Sequence, residues 1–241
     1  MKYDVIIIGA GAAGLNAMRG LVVAGYNVCL LEAAPGIGGR IATNNEESFT
    51  DTVETGAEFI HGRLPLTFKL LKEAGLSYEP VEGEMIGVRN GEWKIEEHDD
   101  HWDKFLLELD KLKTDITILQ FLDTHFSDPQ SNHLRQAVQR FAEGFDLADI
   151  AKASVLPLKD EWKSIEKKQY RVKGGYIQLL DYLFNCSLQK EAVTYFNTCV
   201  NKIEYKTGHV IVSTTENKRF EANKIIITAS LGVLQSGVIQ F

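Results

Sequence analysis

The residues with the most chemistry in this 241-residue chain are Gly9, Gly11, Gly14, Glu32, Gly38, Gly39 and Arg40. The run Gly9-Ala10-Gly11-Ala12-Ala13-Gly14 fits G-x-G-x-x-G. In that pattern the first glycine allows a tight turn and the second leaves room for a pyrophosphate against the backbone. The third lets a helix pack closely on a sheet. A helix beginning in the motif offers its free N–H groups and partial positive charge to phosphates. Glu32 follows Gly14 by eighteen residues, close to the spacing of about 20 at which a carboxylate accepts from ribose hydroxyls. A carboxylate there also repels a 2′-phosphate. On these residues alone, which dinucleotide binds stays open, and an ordinary glycine turn before a helix is the plainer alternative.

Gly38-Gly39-Arg40 comes next. A flexible pair followed by a permanent cation suits a second approach to a pyrophosphate. A plain NAD domain does not need that element here, so the pair favours FAD. Alone, it would read as a surface turn with Arg40 solvated.

Definite elements must hold these residues. Tyr3 to Ile8 is β-branched and apolar, as a strand buried on both faces should be. Leu15 to Ala24 reads as a helix with Gly25 as its stop, and Asn27 to Leu31 as a second strand ending at Glu32. Asn90-Gly91 marks a hairpin turn. From about 101 to 151 the pattern is helical, with Trp102, Phe105, Leu106, Leu109 and Leu112, then Leu134, Val138 and Phe141, as core stripes. Residues 177–184 read as a helix after Gly174-Gly175. Alternating segments at 192–196, 198–205, 209–214 and 219–228 read as strands of a meander.

Hydrophobic residues make up 44% of the chain, enough for a sizeable core, and the net charge is −7. That charge argues against a nucleic-acid partner. No apolar run reaches membrane-spanning length. Met1-Lys2-Tyr3-Asp4 runs straight into the first strand, which argues against a signal peptide. Cys29, Cys186 and Cys199 fit no metal or redox motif. They suggest reduced thiols in a cytoplasmic protein, and the histidine spacing suggests no metal site.

Glu32-Ala33 followed by Gly38-Gly39-Arg40, directly after the dinucleotide fold, resembles the flavin-containing amine oxidases, a family that includes monoamine, polyamine and L-amino-acid oxidases. Three later stretches are also similar to that family: Gly56-Ala57-Glu58-Phe59-Ile60-His61-Gly62, Arg171 to Tyr176 around Gly174-Gly175, and Ile225 to Leu234. Ala34 and Gly36 stand where the family often has arginines, Phe59 where it has tryptophan, and Ser230 where it has proline.

The resemblance implies an α/β fold: a Rossmann-type FAD-binding domain (1–80 and 190–230) with an inserted, mainly helical substrate domain (81–189 and 231–241), truncated at the C-terminus. It implies FAD held by Gly9, Gly11, Ala13, Gly14, Glu32, Ala33, Gly38, Gly39, Arg40, Gly56, Ala57, Glu58, Phe59 and Val200. Val200 would offer main-chain groups to the adenine. His61 would face the active site as a catalytic residue, although on the residues alone it reads as a histidine satisfied by backbone at a turn. The implied activity is oxidation of a small-molecule amine by hydride transfer to flavin, with dioxygen reoxidising it. The flavin-side lysine and aromatic substrate walls would lie in the absent half, for which a second chain is the implied partner. Two alternatives stand beside this: a non-catalytic FAD-binding fragment, and a carotenoid-desaturase-like or mutase-like flavoprotein.

Overall fold

The computed structural model describes residues 2–44, 52–83, 86–89, 91–95, 100–164 and 168–241; Asn90 of the expected turn lies outside them. Strand β1 (Lys2–Ile8) leads through the glycine run into helix α1 (Ala12–Val23) and strand β2 (Val28–Leu31). All four residues Val5 to Ile8 are buried. The helix starts three residues earlier than its apolar pattern suggests. Gly11 already has the extended backbone of an N-cap, so Gly14 falls inside the helix. Gly25, at φ 85°, follows the helix end as expected.

Short strands β3 (Thr43–Asn44), β4 (Val53–Glu54) and β5 (Phe59–His61) follow, then α2 (Pro65–Ala74) and β6 (Tyr78–Pro80). The chain continues with the hairpin β7 (Ile86–Arg89) and β8 (Glu92–Ile95) and helices α3 (Asp100–Lys111), α4 (Ile118–His125), α5 (Asn132–Gly144) and α6 (Val155–Ser164). It ends with β9 (Gln169–Val172), α7 (Ile177–Leu188), β10 (Val193–Tyr195), β11 (Val200–Lys206), β12 (His209–Thr214), β13 (Arg219–Ile227) and α8 (Leu231–Gln235).

The chain divides into two compact units, Met1–Val81 with Gln169–Phe241, and Glu82–Lys168. The first is built on a six-stranded sheet in the order β10-β2-β1-β13-β12-β11. The first four strands of that order are parallel, while β13, β12 and β11 form an antiparallel meander. Side chains alternate across the sheet. Val5, Ile7, Val28 and Leu30 join Leu15, Met18, Leu180 and Leu183 from α1 and α7 in one core. Ile6, Ile8, Cys29 and Leu31 pack with Val200, Ile203 and Val212 on the other face. Both faces are therefore covered, as a central parallel strand requires. Strand β9 and α7, expected with the substrate-facing segment, lie in this first unit.

The second unit is helical apart from its hairpin. Phe105, Leu109, Phe121, Phe126, Val138 and Trp162 are its buried centre, with Trp102, Leu106, Leu112 and Phe141 packed around them. Helix α4 begins with a capping box of Thr117 and Gln120. Between α4 and α5, Asp128 caps a single 3₁₀ turn over Pro129–Ser131. Leu147, after α5, has φ 52°, an uncommon conformation for a branched residue. Among the described residues no helix is long and apolar enough to cross a membrane.

Candidate functional site

The strand order β2-β1-β13 brings the carboxyl ends of three parallel strands together, where open α/β sheets bind ligands. Gly9 leaves β1 at φ 103°, a conformation that favours glycine. A Cβ on Gly14 would drive into the Gly9 carbonyl oxygen, so only glycine lets α1 approach the turn this closely. Helix α1 starts with no side-chain cap and no acid in its first turn. Ala12 and Ala13 are exposed there.

The second glycine pair lies directly against the first run. The Gly38 N–H donates to the Ala10 carbonyl at 3.0 Å, and Gly11 and Gly38 form an isolated parallel bridge. A Cβ on Gly39 would stand 3.3 Å from the Gly11 Cα. Two glycine turns separated in sequence thus make one glycine-lined wall. Arg40 is exposed beside it. Among the described residues its guanidinium makes no ion pair.

Glu32 closes the wall from β2. Its Oε2 accepts from the Ala10 N–H at 2.6 Å and its Oε1 from the Ala34 N–H at 2.7 Å. A carboxylate offers about four lone-pair sites, so two remain for ribose hydroxyls. Ala33 is exposed between these contacts. The segment before Val200 packs against the same loop: the Asn197 N–H donates to the Ala34 carbonyl at 3.0 Å and the Thr198 N–H to the Glu32 carbonyl at 2.8 Å. Val200 itself is buried at the start of β11.

Gly56 and Ala57 run beside Arg40. The Ala57 N–H donates to the Arg40 carbonyl at 2.8 Å, and a Cβ on Gly56 would strike that same oxygen. Glu58 is paired with Arg171 of β9, whose guanidinium also lies 5.8 Å from the Phe59 ring centre. His61 is exposed at the end of β5, its ring edge-on to Phe59 at 6.1 Å. The backbone contacts therefore gather Gly9 to Gly14, Glu32 to Ala34, Gly38 to Arg40, Gly56-Ala57 and the approach to Val200. Glu58, just before β5, and Phe59 group with Arg171, and His61 stands edge-on to Phe59 at the end of the same strand.

Sequence reasoning missed Arg171 as the partner of Glu58, and it missed the role of Thr43 and Glu54. Glu54 Oε1 accepts from the Tyr176 N–H at 2.6 Å, and Thr43 Oγ1 accepts from the Ile177 N–H at 3.2 Å. Together they cap α7 from over a hundred residues away, a signal no local pattern carries. Thr228 was also missed, because its significance is a contact with the Gly9 turn across the sheet.

Beneath the wall, burial pushes the Cys29 thiol up to about 12. Burial, then a hydrogen bond with Tyr195, raises the Tyr3 phenol further. Both groups are neutral at physiological pH, so the sheet puts no charge there. Among the described residues no three His, Cys, Asp or Glu side chains gather as a metal site.

The uncapped helix start, the glycine wall, the two remaining carboxylate sites and the exposed arginine fit a dinucleotide with two phosphates. Comparisons with known proteins agree. Residues 7–74 match the NAD(P)-binding Rossmann-like domain model, and residues 79–241 match the model for flavin containing amine oxidoreductases. The chain is 26% identical to polyamine oxidase 6 of Oryza sativa subsp. japonica, over 98% of this chain and 54% of that protein. It is 26% identical to a probable polyamine oxidase 4 of Arabidopsis thaliana, over 100% of this chain and 53% of that one. The chain spans about half the length of these curated relatives. Its fold is shared with a solved structure of putrescine oxidase bound to putrescine, at TM-score 0.76 and 20% identity, covering 100% of this chain and 61% of that one. The chain belongs to the flavin containing amine oxidoreductases, and its cofactor is FAD.

Proposed function

We propose that this chain is the FAD-binding portion of an amine oxidase acting on a small aliphatic amine, in the manner of the polyamine oxidases it is similar to. The observation that carries the reading is the single wall made by the two glycine turns, flanked by Glu32 and Arg40. When bound, the flavin supplies the hydride acceptor and dioxygen the final oxidant. The protein's own part is to bind and orient. The N–H groups at the start of α1, with Ala13 in the first turn, receive the phosphates, and Arg40 balances their charge. Glu32 accepts from ribose hydroxyls while holding the Ala10 turn. Ala33, Gly56 and Ala57 give the cofactor backbone at close range, and the Val200 main chain serves the adenine. Glu58 and Phe59, grouped with Arg171, are further cofactor contacts in this reading, and His61 is the catalytic group facing substrate.

In this reading residues 1–80 and 190–230 hold FAD, and the helical segment within 81–189, with 231–241, faces substrate. The protein works in the cytoplasm, and its unpaired cysteines support a reducing compartment. The half-length match favours a second reading, in which this chain binds FAD without turning over amines by itself. A second chain that supplies the remaining length is then its partner.

Titration of flavin-free protein with FAD at two salt concentrations tests the cofactor roles. Glu32→Ala should cost on the order of 1.5–3 kcal/mol of binding, the worth of a hydrogen bond to a charged group. Arg40→Ala should also weaken binding, and the loss should shrink as salt screens the exposed charge. Unchanged affinity in either variant removes that residue from the site.

A further inference from the structure

The glycine turn leaving β1 is gripped by one side chain from each neighbouring strand. From the end of β2, Glu32 accepts from the Ala10 N–H. From just beyond β13, Thr228 Oγ1 donates to the Ile8 carbonyl at 2.7 Å and stands 3.3 Å from the Gly9 carbonyl oxygen. A hydroxyl has one proton, so these two carbonyls share it. The same oxygen is what a Cβ would meet at 2.7 Å on Gly9 and at 3.0 Å on Gly14. Thr228 therefore sits where the end of β1, the turn and the first turn of α1 converge. Its backbone N–H separately donates to the Ile8 carbonyl at 2.9 Å. That bond keeps the end of β13 on β1 without help from the side chain. The hydroxyl's distinct contribution is to the turn.

We propose that Thr228 is a positioning residue for the FAD pyrophosphate: its hydroxyl fixes the Ile8–Gly9 peptides so that the start of α1 is aimed before the cofactor arrives. The inference rests on the FAD reading above. Glycine loses more conformational freedom on ordering than any other residue, and Gly9, Gly11 and Gly14 fall within six positions. A turn left free must be ordered when FAD binds, and that ordering subtracts from affinity. Thr228 holds it from one side and Glu32 from the other. Valine has nearly the shape of threonine but no proton to donate. Serine keeps the proton and loses only a methyl group.

The test uses residues 1–241 freed of flavin, with wild type, Thr228→Val, Thr228→Ser and Arg40→Ala titrated with FAD by quenching of flavin fluorescence. Thermal melting of the flavin-free proteins runs alongside. Thr228→Val should weaken FAD binding roughly tenfold, the loss expected of about one hydrogen bond. Thr228→Ser should restore affinity to within about twofold of wild type. The salt slope of Thr228→Val should match wild type while that of Arg40→Ala falls, because the hydroxyl contributes no charge. Hydrogen exchange should be faster at Gly9 to Gly14 in Thr228→Val, a readout that remains should that variant melt early. Wild-type affinity in Thr228→Val, unchanged exchange at the turn, or an equal loss in Thr228→Ser would overturn the proposal. A wild-type chain that binds no FAD would instead overturn the cofactor reading beneath it.

Discussion

Burial decides the chemistry of individual side chains more than residue type does. Cys29 and Cys199 are both unpaired thiols, yet Cys29 is fully buried in the sheet and Cys199 is exposed beside Val200. With its thiol pushed up to about 12 by burial, Cys29 has almost no thiolate at pH 8. Treatment of the native protein with a disulfide reagent at that pH should label Cys199 and leave Cys29 until denaturant is added; rapid labelling of Cys29 would contradict the burial. Asp146 offers a second test. Desolvation raises its carboxyl above the usual range, although Trp162 Nε1 donates to it at 2.8 Å. A raised carboxyl contributes its full stability below the unfolded-state value and loses it as pH climbs through the folded-state value. At pH 7 the ionised form is therefore a cost. Asp146→Asn keeps an acceptor for Trp162 and removes the charge. Its melting midpoint should exceed wild type at pH 7, and the gain should shrink as pH falls into the acid range.

At the scale of elements, α1 is held against β1 by an absence of side-chain atoms. Gly14 faces the Gly9 carbonyl so closely that any Cβ forces the two apart. Gly20 lies in the same helix, and a Cβ there would meet nothing within 4 Å. Two chemically identical substitutions should therefore act in opposite directions. Gly14→Ala should lower the melting midpoint and weaken FAD binding, since it displaces the helix start. Gly20→Ala should stabilise by about 0.5–1 kcal/mol, the helix-propensity difference at an exposed site. Paired thermal melts check both, and a neutral Gly14→Ala would show that the close approach is dispensable. Helix α7 follows the same logic of long-range fitting. Its start is satisfied by Thr43 and Glu54, so its position depends on β3 and β4 rather than on its own first turn.

For the whole molecule, the decisive quantity is length. The chain spans about half of the polyamine oxidases it resembles. Efficient catalysis needs a substrate held within about 3–3.5 Å of the reacting atom, and a cavity with only part of its walls does not supply that restraint. Residues 1–241 alone, supplied with FAD, should therefore produce peroxide from polyamines, monoamines or amino acids at well under about 1 s⁻¹. Turnover at or above that rate would show that this length suffices. A parallel FAD titration of the same chain separates loss of turnover from loss of cofactor.

Strand β1, the glycine motif, Glu32 and the last three strands of the meander were legible in the sequence because each rests on local rules, whereas the segment at 192–196, expected in the meander, is β10, which pairs in parallel with β2. Apolar β-branched runs make buried strands, and Gly-x-Gly-x-x-Gly makes a tight turn wherever a helix follows. The helical stripe from Phe105 to Val138 was legible for the same reason, since its period is a property of adjacent residues. The start of α1 was misjudged by three residues because Ala12, Ala13 and Gly14 carry no apolar stripe, and their helical state comes from the N-cap at Gly11. Contacts between distant segments were not legible. That Gly38 lies on Gly11, that Glu58 meets Arg171, and that Thr228 grips the Gly9 turn are consequences of the strand order β2-β1-β13 and of β5 pairing with β9. Sequence by itself determined that two glycine turns, an acid and an arginine stand at the spacing a dinucleotide site uses. Only the tertiary structure decided which of them share one wall, because proximity across a sheet is set by strand order and register, and neither leaves a mark in local composition.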